Sequence, residues 1–134
     1  MTEKLLARAA AVQLLVALLT GGYAAAAITG LLPVDARSAL AAHINGLFGS
    51  LLLLGLAYSL QFVKYGPAGK NRLAWCFICA TYANWLLTTL KAALHVSGVI
   101  YTGQGANDAV FVLLMAAVVL PSLGGAAAWV AGLF

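Results

Sequence analysis

Residues 72–98, RLAWCFICATYANWLLTTLKAALHVSG, decide how this chain is read. A helix needs about 20 mostly apolar residues, at 1.5 Å of rise each, to cross the hydrocarbon of a bilayer. This stretch supplies them, yet it also carries Tyr82, Asn84, Lys91 and His95. A charged side chain at membrane depth costs at least about 2.5–3.5 kcal/mol unless it reaches water, a partner or protein interior. At about 100° per residue, Asn84, Thr88, Lys91 and His95 share one face of the helix. That face is expected to look at protein rather than lipid.

The rest of the chain agrees. Of its 134 residues 64% are hydrophobic and 7% charged, and mean hydropathy is +1.02. Soluble domains carry about 25% charged residues, so a soluble globular fold is excluded. The pattern predicts an all-α integral membrane protein, a single four-helix transmembrane domain with spans at about 5–32, 38–63, 72–98 and 108–134. Gln13, Gly21, Gly22 and Tyr23 are the only interruptions of span one, and its small residues suit close helix contact. Ser38 is the expected N-cap of span two. The loop 64–71 is basic and turn-rich, Asn107 or Asp108 caps span four, and Pro121 is expected to kink it.

A formal charge of +4 rests on only seven Lys and Arg residues, which lie beside apolar segments and orient a membrane protein rather than bind nucleic acid. Lys4 and Arg8 precede span one, and Lys64, Lys70 and Arg72 separate spans two and three. The other two loops hold Arg37 against Asp35 and Asp108. The positive-inside rule then places both termini in the cytoplasm. Lys4, Arg8, an apolar run and Ala24–Ala27 also have the layout of a signal peptide; the segment is expected to be retained as a span. Cys76 and Cys79 form a lone C-x-x-C followed by Ala80, which lacks the His of a covalent haem site and offers too few ligands for structural zinc. They read as two small buried side chains.

With this topology the polar groups are expected to gather in the outer half of the bundle. His43 lies about five residues into span two, roughly 8 Å down; Lys91 and His95 lie at a similar depth, Tyr101, Asn107 and Asp108 at the outer edge. Asn84 and Tyr82 are the expected floor. Gly46 and Ser50 follow His43 on its own face, with Gly49 beside them. Such a strip is either a bed for a flat ligand such as a porphyrin with His43 on the iron, or a helix-packing seam with His43 bonded to a carbonyl. Lys91 either snorkels to the headgroups or meets an acidic partner such as Asp108 or a cofactor carboxylate. Asn84 wants up to four hydrogen bonds, as helix glue or as part of a site. No Ser/His/Asp spacing, P-loop or dinucleotide fingerprint is present.

Ala42-His43-Ile44-Asn45-Gly46, together with Thr81-Tyr82-Ala83-Asn84-Trp85-Leu86, resembles hydroxylaminobenzene mutase, a small membrane enzyme of bacteria. More distantly, the four-span layout and Asp108 at the opening of span four resemble styrene oxide isomerase. The likeness covers roughly residues 38–120. It implies a redox-neutral rearrangement of a small aromatic substrate, an arylhydroxylamine such as hydroxylaminobenzene going to 2-aminophenol, in a multi-pass protein of the bacterial inner membrane. In the isomerase, haem b lies between the protomers of a trimer and a His of span two holds the ferric iron. Carried over, that ligand is His43, Gly46 and Ser50 flank it, and Arg37 and Lys91 meet the propionates of the haem. Tyr82 and Asn84 would orient the substrate, and Asp108 would stabilise a cation or accept the ring proton. The chain departs from the family pattern at Asn45, where a carboxylate often stands, and at Gly49-Ser50, where an Asn-Gly does. Asn45 or Asn84 is expected to supply the contact of that Asn. Two alternatives stay open: an aryl epoxide rearrangement of the styrene oxide isomerase type, and a b-type electron carrier with haem clamped between His43 and His95. A cofactor-free scaffold or transporter is a third.

Overall fold

Four apolar runs become four long helical rods in the computed structural model, which describes residues 1–134 and contains no strand. The first three are α1 (Thr2–Ile28), α2 (Ala36–Ser59), prolonged by a 3-10 turn at Leu60–Phe62, and α3 (Pro67–Leu94). The fourth rod consists of α4 (Gly105–Leu114), a π turn at Met115–Val119 and α5 (Leu120–Leu133). At 27 to 29 residues, each rod is long and apolar enough to cross a membrane.

The ends of the rods follow local chemistry. Asp35, rather than Ser38, caps α2: its Oδ1 accepts from the Ser38 backbone N–H at 2.7 Å, satisfying a donor that the first turn cannot. Helix α3 starts at Pro67, five residues before the sequence expectation, because proline at the first helical position loses no hydrogen bond and presets φ. It stops at Leu94 rather than Gly98, since His95 turns to the left-handed region with φ 52°. The interruption expected at Pro121 takes the form of the π turn. Proline has no N–H for the carbonyl four residues back, and just before it the Leu120 N–H reaches Met115 O, five residues back.

Helix α1 lies along α2 and α2 along α3, while the fourth rod rests chiefly on α3. Large side chains fill one end of the interior, with Leu6, Leu53, Leu56, Leu60, Leu73 and Phe77 buried together. At the other end the core is alanine, Ala24, Ala27, Ala39 and Ala92, so the rods approach closely there. The Val63–Gly66 loop is tied to the carboxyl end. Lys64 N–H donates to Gly132 O at 2.7 Å, Tyr65 OH donates to Ala128 O at 2.7 Å, and the Lys64 ammonium donates to Phe134 O. Along the most apolar stretch of each rod, only 11% of the fourth is buried in the subunit against 44% of α3. The fourth rod therefore keeps the most surface for lipid or another copy. Of the two cysteines, Cys76 donates to Pro121 O at 3.2 Å, whereas Cys79 is exposed on the helix surface, not buried as its apolar surroundings suggested.

Candidate functional site: an amide-lined groove within the membrane span

Three polar side chains of α2 and α3, Asn45, Asn84 and Thr88, meet at one place within the rods. Asn45 Nδ2 donates to Thr88 Oγ1 at 3.1 Å and to Asn84 Oδ1 at 3.3 Å, and the Thr88 hydroxyl lies 3.5 Å from the same Asn84 oxygen. The Asn45 carbonyl and the Asn84 amino group have no protein partner. Beside them lies a groove of about 320 Å³, the lower end of the usual range for small-molecule sites. Phe48, Gly49 and Leu52 of α2 form one wall, Thr81 and Asn84 of α3 another, and Val118 and Ser122 of the fourth rod a third. Val118 belongs to the π turn, a distortion that re-aims side chains and is frequent at functional sites. None of these lining groups is ionisable. The groove offers neutral donors and acceptors beside aromatic and aliphatic walls.

His43 faces elsewhere. Residues two apart on a helix are about 200° apart, so Asn45 on α3 leaves His43 on α1. There the ring donates from Nδ1 to Ala17 O at 2.7 Å and lies on Gly21, where a Cβ would come within 3.0 Å of its Cε1. The Ala17 carbonyl takes up Nδ1 and leaves Nε2 as the ring nitrogen without a protein partner. The strip below it is filled by α1. A Cβ at Gly46 would stand 2.7 Å from Ala17 Cβ and 3.2 Å from Trp85 Cδ1, and Ser50 is buried with its hydroxyl on Leu47 O at 2.7 Å. Of the two readings of this strip, the packing seam is the one formed within the subunit.

Tyr82 and Asp108 also stand apart from Asn84. Tyr82 OH donates to Ala9 O of α1 at 2.7 Å, so it is not a floor beside Asn84; the same two-residue spacing on α3 turns it away. Asp108 is buried at the head of α4, where its Oδ1 accepts from the Thr102 backbone N–H at 2.8 Å, the Thr102 hydroxyl at 3.3 Å and Asn107 at 3.2 Å. Asn107 in turn accepts from Gly98 N–H at 2.8 Å and donates to Ile100 O at 2.8 Å. Together they fold the loop between α3 and α4. Neither His43 nor Asp108 lines a cleft. The convergence of all polar groups on one pocket is thus not found within one subunit.

Arg37 and Lys91 do come together, with Asp35 and His95, around a cleft of about 590 Å³ at the loop end of α2 and α3. Lys91 does not pair with Asp108: the one ion pair in the chain joins the amino terminus to Glu3. Both cations are without a carboxylate partner. The Ser38 hydroxyl and backbone N–H, with His95 and Lys91 nearby, hold the Asp35 carboxyl below the usual carboxylate range. His95 donates from Nε2 to Pro33 O at 2.9 Å. It shares no cavity with His43, so the two rings do not form a clamp inside the subunit.

A family model described as styrene oxide isomerase matches residues 2–134. The chain belongs to the styrene oxide isomerase family. No curated protein and no solved structure matches it. The match spans nearly the whole chain, beyond the 38–120 stretch legible as a likeness, and it names the family that the sequence had suggested as the more distant of two. Membership makes the protein a membrane isomerase of the styrene oxide isomerase kind.

Proposed function

We propose that this member of the family rearranges an arylhydroxylamine such as hydroxylaminobenzene to 2-aminophenol inside the membrane. The observation that carries the reading is the Asn45–Asn84–Thr88 amide cluster opening on a groove with apolar walls. Such a cavity suits one aromatic ring with a small polar substituent. In the rearrangement the N–O bond breaks, oxygen joins a ring carbon, that carbon loses its proton and the nitrogen gains one, so no electrons enter or leave. A groove without an ionisable side chain suits this chemistry better than a hydrolysis, which needs a base to activate water.

The free Asn84 amino group donates to the substrate oxygen, and the free Asn45 carbonyl accepts from its N–H. Phe48, Leu52 and Val118 hold the ring and keep out the water that would capture a cationic intermediate. His43 would hold the iron of a haem: Ala17 O orients the ring through Nδ1, and Nε2 has no protein partner. Bound there, ferric haem b would supply a Lewis acid for the substrate oxygen. Arg37 and Lys91, without carboxylate partners, suit its propionates. Because His43 and the groove lie on different flanks of α2, the proposal requires a second copy, with the His43 flank of one subunit meeting the groove of the next, and the resemblance implies that the copies form a homotrimer. Tyr82 and Asp108 hold the frame, through Ala9 and Thr102.

A second reading, rearrangement of an aryl epoxide such as styrene oxide, is favoured by the description of the matching family, and the same groove would serve it. The test is to incubate the purified protein with hydroxylaminobenzene and, separately, with styrene oxide. Formation of 2-aminophenol is expected. Phenylacetaldehyde from styrene oxide alone would replace the first reading with the second, and turnover of neither would overturn both. A Soret band that disappears in His43→Ala is the expected spectroscopic companion.

A further inference from the structure

Gln13 sits in the middle of α1 with only 1% of its surface exposed, and both its Oε1 and its Nε2 are buried without a hydrogen-bond partner. In a membrane protein that is a costly arrangement, since no bulk water stands in for the missing partners. Its place explains the arrangement better than packing does. The amide reaches across to α2 at a residue that leaves room: Gln13 Nε2 stands 2.4 Å from where a Cβ of Gly49 would be, and Thr81 Cβ is 3.1 Å from that same point. Gly49 and Thr81 are both lining residues of the amide groove. The carboxamide thus lies behind the groove wall, in the space a side chain at Gly49 would take, with Gly49 and Thr81 between it and the cavity.

We propose that Gln13 is a further positioning and specificity-determining residue of the groove, a carboxamide delivered from α1 through the gap at Gly49. Occupation of the groove turns the Thr81 side chain aside and opens the amide to the partner it lacks, either the polar substituent of the substrate or a water bound to it. The inference rests on the groove being the substrate site, as proposed above. It predicts an unusual combination. A side chain that only packed would be improved by losing its unmet polar atoms, with no effect on substrate; a positioning amide would be improved in stability and impaired in binding.

The test uses full-length protein in lipid nanodiscs. Gln13→Met keeps the length of the side chain and removes both polar atoms. The expected result is a Tm equal to or above that of the parent and a KM raised about fivefold or more, the loss of one neutral hydrogen bond, with kcat within about twofold. A second variant moves the amide to the other helix: Gln13→Ala alone should raise KM similarly, and Gln13→Ala with Gly49→Asn should restore it. A Gln13→Met KM within about twofold of the parent, or a folded double variant no better than Gln13→Ala, overturns the proposal. Should Gln13→Met fail to fold, the Gln13→Ala and double variants decide. Asn84→Leu, measured alongside, separates the two claims: if it too leaves KM unmoved, the groove itself is not the substrate site.

Discussion

An amide pair between two membrane helices is weak glue. Interhelical hydrogen bonds in a membrane average about 0.6 kcal/mol and reach only about 1.7, so Asn45 and Asn84 contribute little to holding α2 on α3. Their unpaired carbonyl and amino group, facing a cavity, are better understood as recognition groups. Asn84→Leu is therefore expected to shift unfolding by less than about 1 kcal/mol while raising KM tenfold or more, about 1.4 kcal/mol of lost substrate contact. Thermal unfolding and steady-state kinetics on the same sample check both halves, and a variant destabilised with KM unchanged would make Asn84 a structural residue. The sequence shows Asn84 plainly, because an amide amid Trp, Leu and Ala at mid-span has no local partner. It does not show that Asn45 is that partner, since the pairing spans 39 positions and depends on how α2 and α3 are rotated against each other. Gln13 is visible only as an interruption of span one, for the same reason.

At the scale of the helix, ends are set by one or two residues and are correspondingly readable. Four spans follow from apolar length alone. What shifts their bounds is capping chemistry: Pro67 begins α3 early, His95 ends it early, and Pro121 yields a π turn rather than a plain break. Asp35 is the clearest case for measurement. Its cap of α2 predicts that Asp35→Ala destabilises by about 1 kcal/mol, whereas Asp35→Asn, which can accept the same bond, costs a few tenths. The carboxyl is held below its ordinary value by Ser38, so its contribution is full above the ordinary carboxylate range, near pH 4, and fades as pH falls through the lowered folded value. The difference between the parent and Asp35→Asn should therefore shrink as pH falls through that lowered value, followed by thermal unfolding down to the pH at which the carboxyl is protonated. A difference that stays constant down to that pH would mean the charge of Asp35 plays no part.

At the scale of the molecule, rotation about each helix axis decides which polar groups can meet, and long-range packing fixes that rotation. Gly21 and Ala17 receive His43 and Gly46, which turns the imidazole toward α1 and presents Asn45 to α3. Periodicity along one helix shows which residues share a face, but not which neighbour that face will meet; hence the spans were legible and the convergence of His43, Asn84, Tyr82 and Asp108 was not what folded. A subunit that keeps its imidazole and its groove on opposite flanks of α2 has a direct consequence if the proposed ring exists. His43→Ala should be inactive as a pure assembly and Asn84→Leu should work only at its raised KM, yet co-expressed they should recover sites with the parental KM. In a cyclic oligomer with random mixing, a site is intact when a subunit keeping His43 adjoins one keeping Asn84, which happens for about one quarter of sites. Recovery to about that fraction of parental kcat per subunit, with the unchanged KM of the parent, is the expected outcome. If mixed assemblies shown to contain both subunits have no component with the parental KM, His43 and Asn84 must be supplied by the same copy, and the shared site between subunits is overturned.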